Sequence, residues 1–383
     1  MRKKGMRPED IDKELEHFYN MNRSFNDGRV LNSMYTAPHP IAVKAHMQFI
    51  ESNMGNPGLY PGTVEMEKRV IFMLKALVSA GDDITGHLTD GGTESNITAM
   101  WIARNLTGRR KVIFPESGHF SLTKAANILD MRPVVLPLTS DYLMDTDALA
   151  EAIDSDTALV IGIAGTTELG LVDPIKEMAE IIDGRAFLHV DAAFGGFVLP
   201  FMKELGYRVP EYDFSIDGVT SMTMDPHKMG MTTLPCGSLL HRMGGEDKIT
   251  VEATYLTKTK QSGLLGTRAS GSVAGAYAVM RHLGREGYRN IVKNCLENTE
   301  YIVKKAAEIG VRPVVKPYMN IVSFRFRDIE AVRREMERFG WALSVSKNPA
   351  GLRIVVMPHV TREVIDEFID DLKNVITVLG EVE

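Results

Sequence analysis

Cysteine is almost missing from this chain. Cys236 and Cys295 are the two among 383 residues, too few for the disulfide framework of a small secreted fold, and they suit a reducing, cytoplasmic setting. Long apolar runs are missing as well. The longest, such as residues 158–164, are far too short to span a membrane. Arg2, Lys3 and Lys4 look like the opening of a signal, yet no apolar stretch follows them. There is no excess of positive charge, and a net charge of −6 gives no electrostatic reason to expect a nucleic-acid partner. Internal repeats and low-complexity segments are also absent.

What is present is a soluble globular composition, 44% hydrophobic and 25% charged. The chain exceeds the length at which a single core keeps growing, so a large and a smaller domain are expected. Between residues 111 and 224 apolar runs alternate with amphipathic ones. Strands are expected at 111–114, 133–138, 158–164, 186–191 and 218–224, with helices at 123–129, 145–153 and 174–182 between them. Such alternation argues for βαβ units and a mainly parallel sheet. After residue 286 long helices and short strands form a different, α+β pattern, which places an N-terminal arm and substrate-side segment at 1–50, a large domain at 51–284 and a small C-terminal domain at 285–383. Residues 8–19 read as an amphipathic arm with Ile11, Leu15 and Phe18 on one face.

The centre of the chain is Met224-Asp225-Pro226-His227-Lys228, just past an expected strand. Asp-Pro ends the strand, and in open α/β sheets the crevice outside strand carboxyl ends is where ligands bind. Lys228 there is placed to form a Schiff base, although a His-Lys pair in a turn is often no more than solvated surface. Three further stretches bear on the choice. Gly91-Gly92-Thr93-Glu94 opens a helix and suits a phosphate, or is simply a cap in which Thr93 bonds the first turn. His119, in a loop after a strand, has the flat ring to stack on a cofactor, or is structural. Asp191 stands at the end of an apolar strand followed by Ala192-Ala193 and suits a protonated pyridine nitrogen. Strand alternation sends His189 to the same face, so a metal pair remains an alternative.

Thr93, His119, Asp191 and Lys228 follow one another at intervals of 26, 72 and 37 residues. In that order the motifs resemble the pyridoxal-phosphate-dependent group II amino-acid decarboxylases, from about Leu31 to the C-terminus. The compact length and the run 53–63 look most like the archaeal L-tyrosine/L-aspartate decarboxylases.

The resemblance implies a fold-type I architecture with a seven-stranded, mainly parallel sheet, pyridoxal 5'-phosphate on Lys228, and a homodimer with active sites at the subunit interface. It gives Gly92 and Thr93 to the phosphate, His119 and Ala193 to the two ring faces, Asp191 to the ring nitrogen, His227 to the phosphate or the imine, and Thr166 to the ring hydroxyl. Tyr255, 27 residues past Lys228, matches a loop tyrosine that protonates the substrate carbon. Thr267 matches a helix start reaching the neighbouring subunit's phosphate. Tyr35, Thr36, His39 and Tyr60 are pocket candidates, and Arg353 is one for a substrate carboxylate, because alternation turns it away from the buried face. Asp225 receives no role, since an acid beside a phosphate is unfavourable unless it turns away. The implied reaction is decarboxylation of tyrosine to tyramine, for methanofuran, or of aspartate to β-alanine, for coenzyme A. Glutamate decarboxylation, a carbon–carbon lyase of the sphingosine-phosphate type, an aminotransferase and a non-enzymatic relative are the alternatives.

Overall fold

The computed structural model describes residues 3–381; Arg2 and the last two residues of the expected C-terminal domain lie outside them. Three helices lead in: α1 (Pro8–Asn20), α2 (Pro40–Gln48) and α3 (Pro61–Leu77). Each has proline in its first turn, where the missing N–H has no helical partner to lose.

The large sheet is built from β1 (Thr85–Thr89), β2 (Lys111–Pro115), β3 (Arg132–Leu136), β4 (Thr157–Ile163), β5 (Phe187–Asp191), β6 (Ser221–Met224) and β7 (Gly237–His241). Their spatial order is β1-β7-β6-β5-β4-β2-β3. Only β7 runs against the rest, so the seven-stranded, mainly parallel expectation holds. Helices α4 (Gly92–Thr107), α5 (Phe120–Ile128), α6 (Thr146–Ala152), α7 (Ile175–Ile182) and α8 (Leu199–Glu204) connect them. All seven residues of β4 are buried, as a central strand covered on both faces requires.

Beyond the sheet, β8 (Val251–Glu252) and β9 (Lys260–Gln261) make a short hairpin where the resemblance implies the loop of Tyr255. Helix α9 (Ser270–Glu308) joins two expected helices across Gly284, whose φ of 56° and ψ of −171° kink it. The last body comprises β10 (Ile321–Phe324), α10 (Ile329–Arg338), β11 (Ser344–Lys347), β12 (Ala350–Val355) and α11 (Arg362–Leu379), with strand order β10-β12-β11. Residues 311–315 contribute to this body only a single bridge, between Pro313 and Phe324.

This body has its own core, which Leu31 joins from the N-terminal segment. Helix α11 supplies Ile365, Phe368, Ile369, Leu372, Val375 and Ile376, with Thr361 capping its start and Gly380 its end. Trp341 is fully buried against Phe368, and its Nε1 donates to Asp371 Oδ2 at 2.8 Å. Asp371→Ala leaves that indole N–H without its partner and is expected to lower stability by about 1–3 kcal/mol in urea melts. Activity of the surviving folded protein should be unchanged.

Candidate active site

The carboxyl ends of the parallel strands open onto a cavity of about 330 Å³. Strand β1 delivers the turn Asp90-Gly91 and the start of α4 to it. Gly91 sits at φ 110°, a region that a side chain disfavours, so the chain reverses straight into the helix. A Cβ on Gly92 would lie 2.9 Å from Asp225 Oδ2, so the turn packs backbone against the lysine loop. No side chain caps α4. Its first N–H groups are therefore left for an anion, and the cap reading of Thr93 fails. Glu94, buried, reaches back to the turn and accepts Asp90 N–H at 2.6 Å.

Strand β6 ends at Met224, and Asp225-Pro226-His227-Lys228 turns back over the cavity. Asp225 does not turn away. It is buried, its Oδ2 stands 3.1 Å from Lys228 Nζ and 3.9 Å from His227 Nε2, and its Oδ1 has no partner. His227 Nδ1 lies 2.6 Å from the Cys236 carbonyl and 3.3 Å from the Cys236 N–H, which pins the ring over the lysine turn.

Asp191, at the end of β5, is held by Ala193 N–H on Oδ1 at 3.1 Å and by Asn96 Nδ2 on Oδ2 at 2.8 Å. His119 caps α5, its Nδ1 2.9 Å from Ser121 Oγ. Burial, before any neighbouring charge, holds its pKa below the ordinary value, which leaves a neutral ring suited to stacking. His189 is fully buried behind Asp191 and is pushed down to about 4 by burial. Its Nε2 turns toward Asn96 and Thr223, and among the described residues no cluster of three or more His, Cys, Asp or Glu is placed to hold a metal.

The cavity thus gathers Gly92, Thr93, His119, Asp191, Ala193, His227 and Lys228. Other expected residues are not brought to it. Thr166 is buried and its Oγ1 accepts Leu171 N–H at 3.0 Å; Thr167 lines the cavity in its place. Gly165, at φ 107°, turns the chain between β4 and these two threonines. Arg353 is buried, contrary to the alternation argument. Its Nε donates to Thr167 O at 2.6 Å and one Nη to Asn32 O at 3.1 Å, Nη2 has no partner, and burial pushes its pKa down to about 10. Thr36 is buried against His359 Nδ1 at 2.8 Å, His39 caps α2, Tyr35 packs edge-on to Phe25, and the Tyr60 hydroxyl points to Glu51 O. None of these four lines the cavity; Met34, from the same N-terminal segment, does. Thr267 is exposed, and Tyr255, in the turn of the β8–β9 hairpin, is 86% exposed.

Sequence reasoning also passed over Asn96, Leu234 and Pro235. Asn96 had a signal, a polar residue in the second turn of a helix that opens on glycines.

The residues fit pyridoxal phosphate: an uncapped glycine-opened helix for the phosphate, a buried carboxylate for the ring nitrogen, a neutral histidine for the ring face and a lysine amine beside them. The comparisons agree. A family model described as the pyridoxal-dependent decarboxylase conserved domain matches residues 9–327. A probable L-tyrosine/L-aspartate decarboxylase of Methanothrix thermoacetophila is 44% identical over 92% of this chain and 91% of its own length. A probable L-aspartate decarboxylase of Archaeoglobus fulgidus is 42% identical over 96% and 99%. Among solved structures, the Burkholderia pseudomallei sphingosine-1-phosphate lyase superposes with TM-score 0.90 at 28% identity, covering 98% of this chain and 92% of that one. A Lactobacillus brevis glutamate decarboxylase does so with TM-score 0.88 at 20% identity, over 100% and 95%. With lysine, aspartate, histidine and glycine turn meeting in one cavity of the expected fold, the chain belongs to the pyridoxal-dependent decarboxylases and is a pyridoxal-phosphate-dependent amino-acid decarboxylase.

Proposed function

We propose that the amino acid decarboxylated is L-tyrosine, with L-aspartate second. The observation that carries this order is the cavity wall. Its substrate side offers Met34, Phe194, Leu234 and Pro235, and among the described residues no arginine lines it. An aromatic side chain suits that surface, whereas aspartate's second carboxylate calls for a guanidinium. The names of the relatives support both substrates. Tyramine for methanofuran, or β-alanine for coenzyme A, would be the product's use.

The cofactor supplies an electron-withdrawing ring that accepts the electron pair left as CO₂ departs. The protein supplies the rest. Lys228 anchors the cofactor, Asp191 keeps its ring nitrogen charged, His119 and Ala193 fix the ring plane, and Gly92 and Thr93 hold the phosphate, with His227 beside them. Arg353 braces the wall through the Thr167 carbonyl. CO₂ release should be measured in parallel from tyrosine, aspartate and glutamate. Release fastest from tyrosine is expected. No release from any of the three, with cofactor bound, would move the carbon–carbon lyase to first place.

The chain works as a homodimer, in which Tyr255 and Thr267 serve the neighbouring subunit's cavity. Two observations support this: Tyr255 stands free of its own cavity, and α1 buries none of its residues, leaving Ile11, Leu15 and Phe18 exposed. As general acid toward the substrate carbon, Tyr255 should contribute about 10²–10⁴ in kcat, so Tyr255→Phe is expected to lose that factor with little change in KM. Mixing Tyr255→Phe with a Lys228 variant should restore roughly a quarter of the activity, because half the dimers of a random mixture carry one intact site. No restoration after subunit exchange would place Tyr255's action within its own chain.

A further inference from the structure

Asn96 sits where side chains join the glycine-opened helix, the ring-nitrogen partner and the stacking histidine. From the second turn of α4 its Nδ2 donates to Asp191 Oδ2 at 2.8 Å and to Ser121 Oγ at 3.1 Å, and Ser121 Oγ lies 2.9 Å from His119 Nδ1. On the other side its Oδ1 accepts Thr223 Oγ–H at 2.9 Å and lies 3.1 Å from His189 Nε2, which is also 3.1 Å from Thr223 Oγ. His189 Nδ1 is 2.8 Å from Ser221 Oγ. All of these groups are buried except His119.

The Asp191 carboxylate only accepts, so the amide NH₂ faces it and the amide oxygen faces His189 and Thr223. An amide oxygen only accepts, so His189 carries its proton on Nε2 and takes the Ser221 hydroxyl proton on Nδ1. The Asn96 amide then meets donors on its oxygen side and acceptors on its nitrogen side. Turned over, its oxygen would face the Asp191 carboxylate, acceptor against acceptor, and in a buried site that mismatch is expensive. The amide is therefore locked, and with it the carboxylate.

We infer that Asn96 is a positioning residue for Asp191 and His119, and that Thr223 and His189 are its lock. Asn96 holds the carboxylate in the one orientation that leaves it a lone pair for a ring nitrogen. Through Ser121 it also ties His119 to the same α4 that opens on the phosphate turn. The inference rests on the reading of Asp191 as the ring-nitrogen partner. Asn96 touches the carboxylate rather than the substrate.

The readouts are the pyridoxal phosphate dissociation constant and the pH midpoint of the bound cofactor's long-wavelength absorbance band, neither of which requires turnover. Asn96→Ala is expected to weaken cofactor binding about tenfold and move the midpoint by about a unit, the scale of one hydrogen bond to a charged group. Thr223→Val, which removes the donor that orients the amide, should move both in the same direction by less. Thr223→Ser, which keeps the hydroxyl, should restore wild-type values, as a packing role for the threonine methyl would not. Asp191→Ala is the reference arm. If it leaves the midpoint unmoved, the reading of Asp191 fails and the inference falls with it. If Asp191→Ala moves the midpoint and Asn96→Ala does not, the inference alone is wrong. Should Asn96→Ala not fold, the Thr223 pair decides: equal behaviour of valine and serine overturns the lock, and divergence supports it.

Discussion

Lys228→Ala is expected to bring CO₂ release down to background and, at the same time, to destabilise the cofactor-free protein. The first effect follows from losing the amine that anchors the cofactor. The second follows from Asp225. Its carboxylate is buried, its one charged partner within 3.5 Å is Lys228 Nζ at 3.1 Å, and its Oδ1 is unpartnered. Removing one member of a buried pair costs roughly 3–5 kcal/mol, and Lys228 keeps some solvent, so the lower end is expected. The double variant Lys228→Ala, Asp225→Asn separates the two consequences. It should recover most of the lost thermal stability and none of the activity. A Lys228→Ala protein that still releases CO₂ at the wild-type rate would remove the lysine from the chemistry.

Acidification is expected to weaken the fold from about pH 6.5 downward, beginning above the range in which ordinary carboxylates are protonated. Burial first, then Arg268 and His241, pushes His87 down to about 3, and burial pushes His189 down to about 4. Both stay neutral in the folded chain while the unfolded chain takes up their protons below about 6.5. The stability they provide is therefore whole above pH 6.5 and lost as pH falls toward 4 and 3, at about 1.4 kcal/mol per pH unit for each. Asp173 opposes them. It accepts Met144 and Ile163 N–H at 2.9 and 2.8 Å, yet burial raises it to about 6. Its contribution is full below the ordinary 3.8 and lost as pH rises through 6, so between 6 and 4 it offsets one of the two histidines. The net loss from pH 6.5 to pH 4 is then about 4 kcal/mol, readable as a fall in urea midpoint. His87→Leu should nearly flatten the curve between pH 6 and 4. An unchanged slope in that variant would mean that His87 is not held neutral by the fold.

The α/β architecture was legible where burial wrote itself into composition. Strands β4 and β5 are almost wholly buried, and their apolar runs announce them. Strand β1, Thr85-Gly86-His87-Leu88-Thr89, lies at the sheet edge, fully buries only its last two residues with His87 half-buried, and carries no such signal. The site divides in the same way. Lys228, Asp191, His119 and the glycine turn follow from strand ends and helix starts, which sequence places well. Thr166 was misplaced by a single turn after β4. Arg353 was read as outward because alternation names a face of a strand without saying what covers it; here the cover is the 165–170 turn and the N-terminal segment. Tyr35, Thr36, His39 and Tyr60 belong to segments whose position is set by packing on distant parts of the chain, and Asn96 becomes meaningful only once four elements converge on it.

One consequence concerns synthesis. Strand β1 pairs with β7 alone, from Thr89↔Gly237 to Thr85↔His241, so its partner is translated about 150 residues after it. The phosphate turn is thus encoded in the first quarter of the protein yet has no neighbouring strand until ribosomes have passed the lysine. A nascent or truncated chain ending before Gly237 already contains every motif from Gly91 to Lys228 and still lacks the strand that seats the first beside the last. The two halves of the cavity are therefore joined by a contact of long sequence separation, the kind whose loop-closure entropy makes pairing slow.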